Sequence, residues 1–336
     1  MVSQTQSLSL PTAAAGLRAL DPLRDLGAVA DLVEEVFADE LGPDSRHIMR
    51  DLRMMHTLRP LMWMVNSIAP DNYDFLGGYV WEEEGRIVGN LSLSPLSDGD
   101  MIVANVAVSA PYRRRGIARA LMNAAIAQAQ RRHVHRIWLQ VNEQNRAAIA
   151  LYDSLNFRYR DTVVEMQAEQ PDPATLPVPR GVRLVAPINE RWHEAYELSR
   201  RAQNTTRFGQ GPQSSRSYRP QPKSWIERLW QRVVPPARER WWAMEGDDLR
   251  GLLTILRRRN RQEADRVELL VAPEGEGQVE GAMVNLLTER LRYRAVVQSV
   301  VAGQQVATRD ALRRAGFVER RTLNQMRLTL DGAGWN

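Results

Sequence analysis

Cysteine is absent from the 336 residues, which excludes disulfides, thiolate metal sites and a cysteine nucleophile. Lysine is almost absent: Lys223 stands alone, so 44 of the 45 basic residues are arginine. Long apolar runs are also missing. The densest patch, Leu61–Val65, falls far short of the roughly 18 residues that a membrane helix needs. Met1–Leu10 carries no Lys or Arg and no apolar stretch, so it does not read as a secretory signal, and Ala13–Ala15 reads as a flexible lead-in. The five histidines show no HExxH-type spacing, and His133 and His135 read as a solvated helix end. No metal site is expected, and the missing cysteine fits a cytoplasmic protein.

What is present is an average globular mix, 43% hydrophobic and 25% charged, at a length that suits two domains. The net charge of +5 is uneven. Residues 200–240 hold ten basic side chains against Glu227 and Glu239, a local +8 that leaves −3 elsewhere.

Two halves repeat one order of elements. In the first, a short strand at Leu17–Leu20 precedes a helix over Leu23–Phe37, with apolar residues at helical spacing. A second helix is expected over Ser45–Asn66. Strands follow at Phe75–Glu82, Ile87–Ser94 and Ile102–Val108, the last alternating residue by residue. A basic glycine turn then leads into a helix from Ile117 to Arg131, and strand, helix and strand complete the half. Four prolines in Glu169–Gly181 mark a linker. The second half repeats the pattern from Val182. Ala110-Pro111 returns as Ala272-Pro273 and Phe157 as Phe317, offset by 162 and 160 residues, which reads as an internal duplication.

The chemistry lies in Asn105–Ala118, NVAVSAPYRRRGIA. A strand ends, a glycine turn follows and an amphipathic helix begins. The first N–H groups of a helix lack internal partners and sit at the positive end of its dipole, which makes an anion site. Arg113, Arg114 and Arg115 add charge, Gly116 admits close backbone approach, and Ala118 keeps the wall thin. A diphosphate is the natural ligand; a merely solvated turn is the alternative. Downstream, Val141–Phe157 reads VNEQNRAAIALYDSLNF, with Asn145 as a helix cap and Tyr152 near the helix middle.

Together these stretches resemble the GCN5-related N-acetyltransferase (GNAT) superfamily. Its phosphate-loop pattern matches at Arg113, Gly116 and Ala118. Its downstream pattern matches at Val141, Asn145, Ala148, Leu151, Tyr152 and Phe157, with Asn156 in place of a glycine. Local wording is similar to the ribosomal-protein N-terminal alanine acetyltransferases, and the tandem layout resembles mycothiol synthase. The resemblance implies an α/β (α+β) fold of two tandem GNAT-like domains, each a mixed, mostly antiparallel sheet flanked by helices. The domains are expected at 1–168 and 182–331 around a 169–181 linker, with catalysis in the first.

The resemblance also implies roles. The co-substrate is acetyl-CoA. Backbone groups of Val106, Ala107 and Val108 pair with its pantetheine arm, N–H groups from Arg114 through Gly116, Ile117 and Ala118 to Arg119 cradle its pyrophosphate, and Asn145 touches the pantetheine or thioester region. Tyr152 protonates the leaving thiolate while an amine attacks directly. The acceptor is a small amine or a peptide N-terminus. Gln140 stands where the ribosomal enzymes carry a glutamate, which leaves Glu82, Glu83, Glu84 and Glu143 as candidate bases. The alternative to an enzyme is a non-catalytic acyl-CoA sensor or adaptor.

The second copy reads Glu274-Gly275-Glu276-Gly277-Gln278-Val279-Glu280 in the loop. Aligned through Ala-Pro, Gly275 replaces Arg113, Gln278 replaces Gly116 and Glu280 replaces Ala118, while Leu312 replaces Tyr152 and Gln305 replaces Asn145. Its acids oppose a diphosphate, so this half is expected to keep the fold and bind no acyl-CoA. The basic segment Asn204–Lys223 is read as a solvated loop. Arg216, Tyr218, Arg219 and Trp225 mix charge with stacking faces, yet no RNA-recognition fingerprint is present, and nucleic acid is disfavoured as a partner, as is a membrane.

Overall fold

The computed structural model describes residues 16–38, 77–96, 99–171, 173–202, 218–219, 238–258 and 264–330. The expected helix at Ser45–Asn66 and most of Asn204–Lys223 lie outside the described residues. The chain divides into two compact units, Met1–Trp138 with Thr329–Asn336, and Leu139–Leu328.

The first unit holds β1 (Gly16–Ala19), α1 (Pro22–Val36), β2 (Gly77–Glu83), β3 (Arg86–Pro95), β4 (Asp100–Val108), α2 (Ile117–Arg131) and the start of β5 (Arg136–Asn142). Strands β1 to β4 pair in sequence order, all antiparallel. In α1 the spacing of Leu26, Val29, Ala30 and Val33 makes one buried stripe, which packs on Val80 and Ile87. On the other face α2 approaches β3 closely because residue 89 is glycine: a Cβ there would lie 2.8 Å from Ile117 and 3.3 Å from Leu121. Each large side chain buried this way contributes about 1.5–3 kcal/mol. At the start of β4, the Asp100 carboxylate accepts from Arg136 Nε and Trp138 Nε1, both at 2.8 Å.

The second unit holds the rest of β5, α3 (Arg146–Ser154), β6 (Arg158–Glu169), β7 (Val182–Val185), α4 (Trp192–Ala202), β8 (Arg238–Glu245), β9 (Asp248–Leu256), β10 (Asp265–Val271), α5 (Glu280–Leu291), β11 (Val296–Ala302), α6 (Val306–Arg314) and β12 (Val318–Thr329). Its strand order is β5-β12-β6-β11-β10-β9-β8-β7. The two long final strands have therefore moved: β12, from the end of the chain, lies between β5 and β6, and β6 pairs antiparallel with both β12 and β11. Arg321 clamps Glu165 across that central pair at 2.6 and 2.9 Å. Periodicity shows that these strands exist; it carries no information on which neighbour they choose.

The duplication is visible in the element order, β2-β3-β4-α2-β5-α3-β6 against β8-β9-β10-α5-β11-α6-β12. Both halves end their last helix the same way. Phe157 N–H reaches the Tyr152 carbonyl and Phe317 N–H the Leu312 carbonyl, each at 3.0 Å, and both rings are buried. The residue before each Phe is left-handed, Asn156 at φ 64° and Gly316 at φ 84°. Asparagine tolerates that conformation best among residues with a side chain, which is why it can stand where the second half has glycine.

The proline-rich linker is ordered against α5. Ala174 N–H donates to Thr288 Oγ1 at 2.9 Å, Leu176 N–H donates to Asn285 Oδ1 at 2.7 Å, and Asn285 Nδ2 returns a bond to the Leu176 carbonyl at 3.0 Å. Gly281 makes the approach possible, because a Cβ there would sit 2.3 Å from the Pro177 carbonyl oxygen.

Candidate functional site

Strand β4 is expected to alternate throughout, but it does so only in part. Met101 and Val103 are buried, Ala104 and Asn105 are both exposed, and alternation resumes at Ala107. The cause is a β-bulge: Asn90 pairs with Ala107 and Ser92 with Ala104, so two steps of β3 face three steps of β4. Asn105 takes the left-handed φ of 51°. Three side chains hold the bulge. Asn90 Nδ2 donates to the Asn105 carbonyl at 3.0 Å, and Asn90 Nδ2 and Asn105 Nδ2 each lie 3.4 Å from Ser92 Oγ. Asn90 is a site residue that periodicity misses. The signal is internal: Gly89-Asn90-Leu91 returns in the second half as Gly251-Leu252-Leu253.

After β4, a single 3-10 turn at Ala110–Tyr112 carries the chain to the arginines. Arg113 folds back and donates Nε to the Val108 carbonyl at 3.0 Å. Arg114 is exposed and left-handed at φ 66°. Arg115 leans over the Tyr112 ring, 5.0 Å from its centroid, and reaches Glu83 at 3.4 Å and the Pro111 carbonyl at 3.3 Å. Gly116 caps α2 at φ 81° with open space where a Cβ would stand, so glycine is needed for the backbone angle and not for room. It offers no side chain to the first turn of α2, whose N–H groups begin at Ile117, Ala118 and Arg119. Ile117 is buried under β3, Ala118 is half-buried and Arg119 is exposed. The unit therefore brings Val106–Val108 and Arg113–Arg119 together as a bulged strand, a basic turn and an uncapped helix start, an arrangement fit for an anion with a peptide-like arm.

Asn145 and Tyr152 belong to the second unit, on α3. Asn145 caps that helix, its Oδ1 accepting from Ala148 N–H at 3.1 Å. Tyr152 is the only fully buried residue of α3, Ala148 and Leu151 being half-buried; its ring lies 6.0 Å from that of Phe157. Burial pushes its hydroxyl up to about 12, so it is protonated at any physiological pH.

The candidate bases separate. Glu82 is buried and committed: Arg18 Nε donates to it at 2.7 Å and Arg24 Nη2 at 3.0 Å, while Arg18 also clamps the buried Asp25. Glu83 meets Arg115, Glu84 occupies the exposed turn at φ 53°, and Glu143 is exposed, its N–H bound to the Thr322 carbonyl.

The twin loop is closed by its own carboxylate. Glu280 is 3% exposed, and its Oε1 accepts from Gly277 N–H at 3.0 Å. Burial raises its pKa above the usual carboxylate value against the pull of backbone N–H bonds. Like the first helix start, this one bears no side-chain cap from its N-cap residue, but here the Glu280 carboxylate occupies the turn. Two further differences separate the copies. Strand β10 pairs with β9 without a bulge from Arg266 to Val271. The loop is also one residue shorter. Ser109 N–H binds the Val88 carbonyl and Ala272 N–H that of Arg250, while Gly89 faces Ile117 and Gly251 faces Val279. The Ala-Pro pairs are thus one residue out of step at the turn: Glu276, and not Gly275, stands in the place of Arg113, whereas Glu280 keeps that of Ala118. In α6, Gln305 makes no side-chain cap where Asn145 does.

No group of three or more His, Asp or Glu side chains fit for a metal occurs among the described residues, and no described helix is long and apolar enough to cross a membrane.

A mixed sheet with a bulged fourth strand, an uncapped helix after an arginine-glycine turn, and a repeated element order define the class as a tandem α/β fold. The Acetyltransferase (GNAT) family model matches residues 44–157, about a third of the chain. It is similar to a GCN5-related N-acetyltransferase from Sphaerobacter thermophilus, with a TM-score of 0.63 at 17% identity over 93% of this chain and 95% of that one. It is also similar to a tandem GNAT protein from the clavulanic acid biosynthesis pathway, with a TM-score of 0.57 at 18% identity over 95% and 100%. At those identities the likeness is one of fold. In sequence, the chain is 47% identical over 53 residues to the ribosomal protein bS18-alanine N-acetyltransferase of Escherichia coli (strain K12), 16% of this chain and 36% of that protein. It is 32% identical over 77 residues to the Haemophilus ducreyi protein of the same name, 23% and 52%. The chain thus spans between about a third and a half of the curated relatives it matches.

Proposed function

We propose that the protein is an acetyl-CoA-dependent N-acetyltransferase whose first half binds the co-substrate. The observation that carries this reading is the contrast between the two helix starts, one uncapped beside a bulged strand and flanked by arginines, the other filled by Glu280. In this reading the N–H groups from Arg114 to Arg119 hold the pyrophosphate, Val106–Val108 receive the pantetheine arm and Asn145 borders it. The amine nitrogen attacks the thioester carbonyl carbon, the C–N bond forms and the C–S bond breaks. The electron pair leaves on sulfur, which takes the Tyr152 proton; the proton lost by the amine passes to solvent and restores the hydroxyl. An ordinary thiol, with a pKa of about 8.5, is a weaker base than Tyr152 is in this site, so the step needs a thiolate desolvated by the same burial that raises Tyr152. The relatives' name supports a protein N-terminus ending in alanine as acceptor, with small amines as the other class.

A second reading, an acyl-CoA sensor without turnover, is favoured by one observation: Glu82, the buried candidate base, is committed to Arg18 and Arg24. The test is thiol release from acetyl-CoA across alanine-ended peptides and small amines. Turnover that falls on Tyr152→Phe while acetyl-CoA affinity holds supports the enzyme. Binding without turnover on any acceptor supports the sensor, and turnover unchanged by Tyr152→Phe removes Tyr152 as the acid.

A further inference from the structure

Asn90 has no accessible surface and lies in the strand between the buried Val88 and Gly89 and the buried Leu91. Its Nδ2 binds the Asn105 carbonyl, while its Oδ1 has no partner among the described residues. A buried amide left half-satisfied costs stability that an aliphatic side chain would not. The second half supplies the aliphatic case. Gly251-Leu252 stand to Val279 and Met283 as Gly89-Asn90 stand to Ile117 and Leu121, and there the ladder pairs Leu252 with Leu270 without a bulge. Asparagine and bulge occur together in one copy, and both are missing from the other.

The geometry gives the bond a direction. No described peptide is cis, so the Asn105 carbonyl and the Val106 N–H, which share one peptide plane, point opposite ways. Asn90 pairs with Val80, which packs under α1, whereas Gly89 faces α2. Holding the carbonyl on the α1 side therefore turns the Val106 N–H towards the α2 side, where the uncapped helix start also lies.

We propose that Asn90 is a positioning residue for acyl transfer: by fixing the Asn105 carbonyl it aims the Val106 N–H at the thioester carbonyl oxygen, where negative charge grows as the amine attacks. The inference rests on the acyl-CoA reading of the site and adds the residue that orients its donor. Asn90 itself touches no substrate.

The experiment is infrared difference spectroscopy of acetyl-CoA labelled with 13C at the thioester carbonyl, bound to the full chain, alongside calorimetry. The wild type is expected to bind and to shift the carbonyl band to lower frequency. Asn90→Val, and Asn90→Asp should the first fail to fold, are expected to bind with similar affinity, lose the shift and lower kcat about 100-fold on the best acceptor. Asn105→Gly keeps the backbone carbonyl and is expected to keep the shift. A shift retained in the folded Asn90 variants overturns the inference and leaves the acyl-CoA reading standing, as does a loss confined to affinity. A wild type that binds no acetyl-CoA overturns both.

Discussion

Tyr152 shows what one residue's surroundings decide. Burial holds its hydroxyl at about 12, so no descending limb from this group enters a pH–rate profile below about pH 10. The same shift has a stability consequence. The folded pKa lies above the unfolded value, so the stabilisation is complete below pH 10 and is lost as the pH rises towards 12. Denaturant titrations should show wild type losing stability relative to Tyr152→Phe across that window, and parallel curves would remove the burial argument. Asn145 gives a smaller prediction. Its cap on α3 makes Asn145→Ala cost about 1 kcal/mol in chemical denaturation, and any larger loss of acetyl-CoA affinity measures a role beyond the cap. The places of Arg113–Arg115 and Gly116 in a turn before a helix, of Asn145 as a cap and of Tyr152 within its helix were legible in the sequence, because fixed spacings carry them. Asn90 was not, and Glu82 was legible only as a candidate base and not as an ion-pair partner. Both are polar residues whose meaning depends on a partner 15 and 64 residues away, Asn105 and Arg18, and no local pattern records that.

At the scale of elements, the copies diverge in one strand and one loop. Strand β4 reads as a clean alternation, and the bulge breaks it because residue 105 is an asparagine that accepts a left-handed backbone. In the twin loop, the Glu280 carboxylate accepts from the Gly277 N–H. Its folded pKa is raised by burial, so its share of stability is present below the unfolded carboxylate value and lost as the pH rises through the folded one. Glu280→Gln is therefore expected to melt higher than wild type at pH 7, with the gap closing towards pH 4; a gap that widens on acidification contradicts this. Beside it, Gly281→Ala forces a methyl against the Pro177 carbonyl and should destabilise by about 1–3 kcal/mol in denaturant titration. The linker's composition announced a break between the halves, but its bonds to Thr288 and Asn285 are side-chain matters that composition does not carry.

For the molecule as a whole, the element order was legible from periodicity, turn residues and the repeated anchors. Strand partnership was not, because β6 and β12 present the same alternation whichever neighbour they choose. Since β12 lies between β5 and β6, a chain stopped at Gly181 lacks the strand that separates them and is expected to lose cooperative unfolding. Calorimetric titration of the full chain with acetyl-CoA distinguishes one open anion site and one filled from within from any other arrangement. One equivalent is expected to bind per chain, abolished by Ala118→Glu, which copies Glu280 into the first loop, and unchanged by Glu280→Ala. Two equivalents, none, or full binding by a folded Ala118→Glu variant would contradict it.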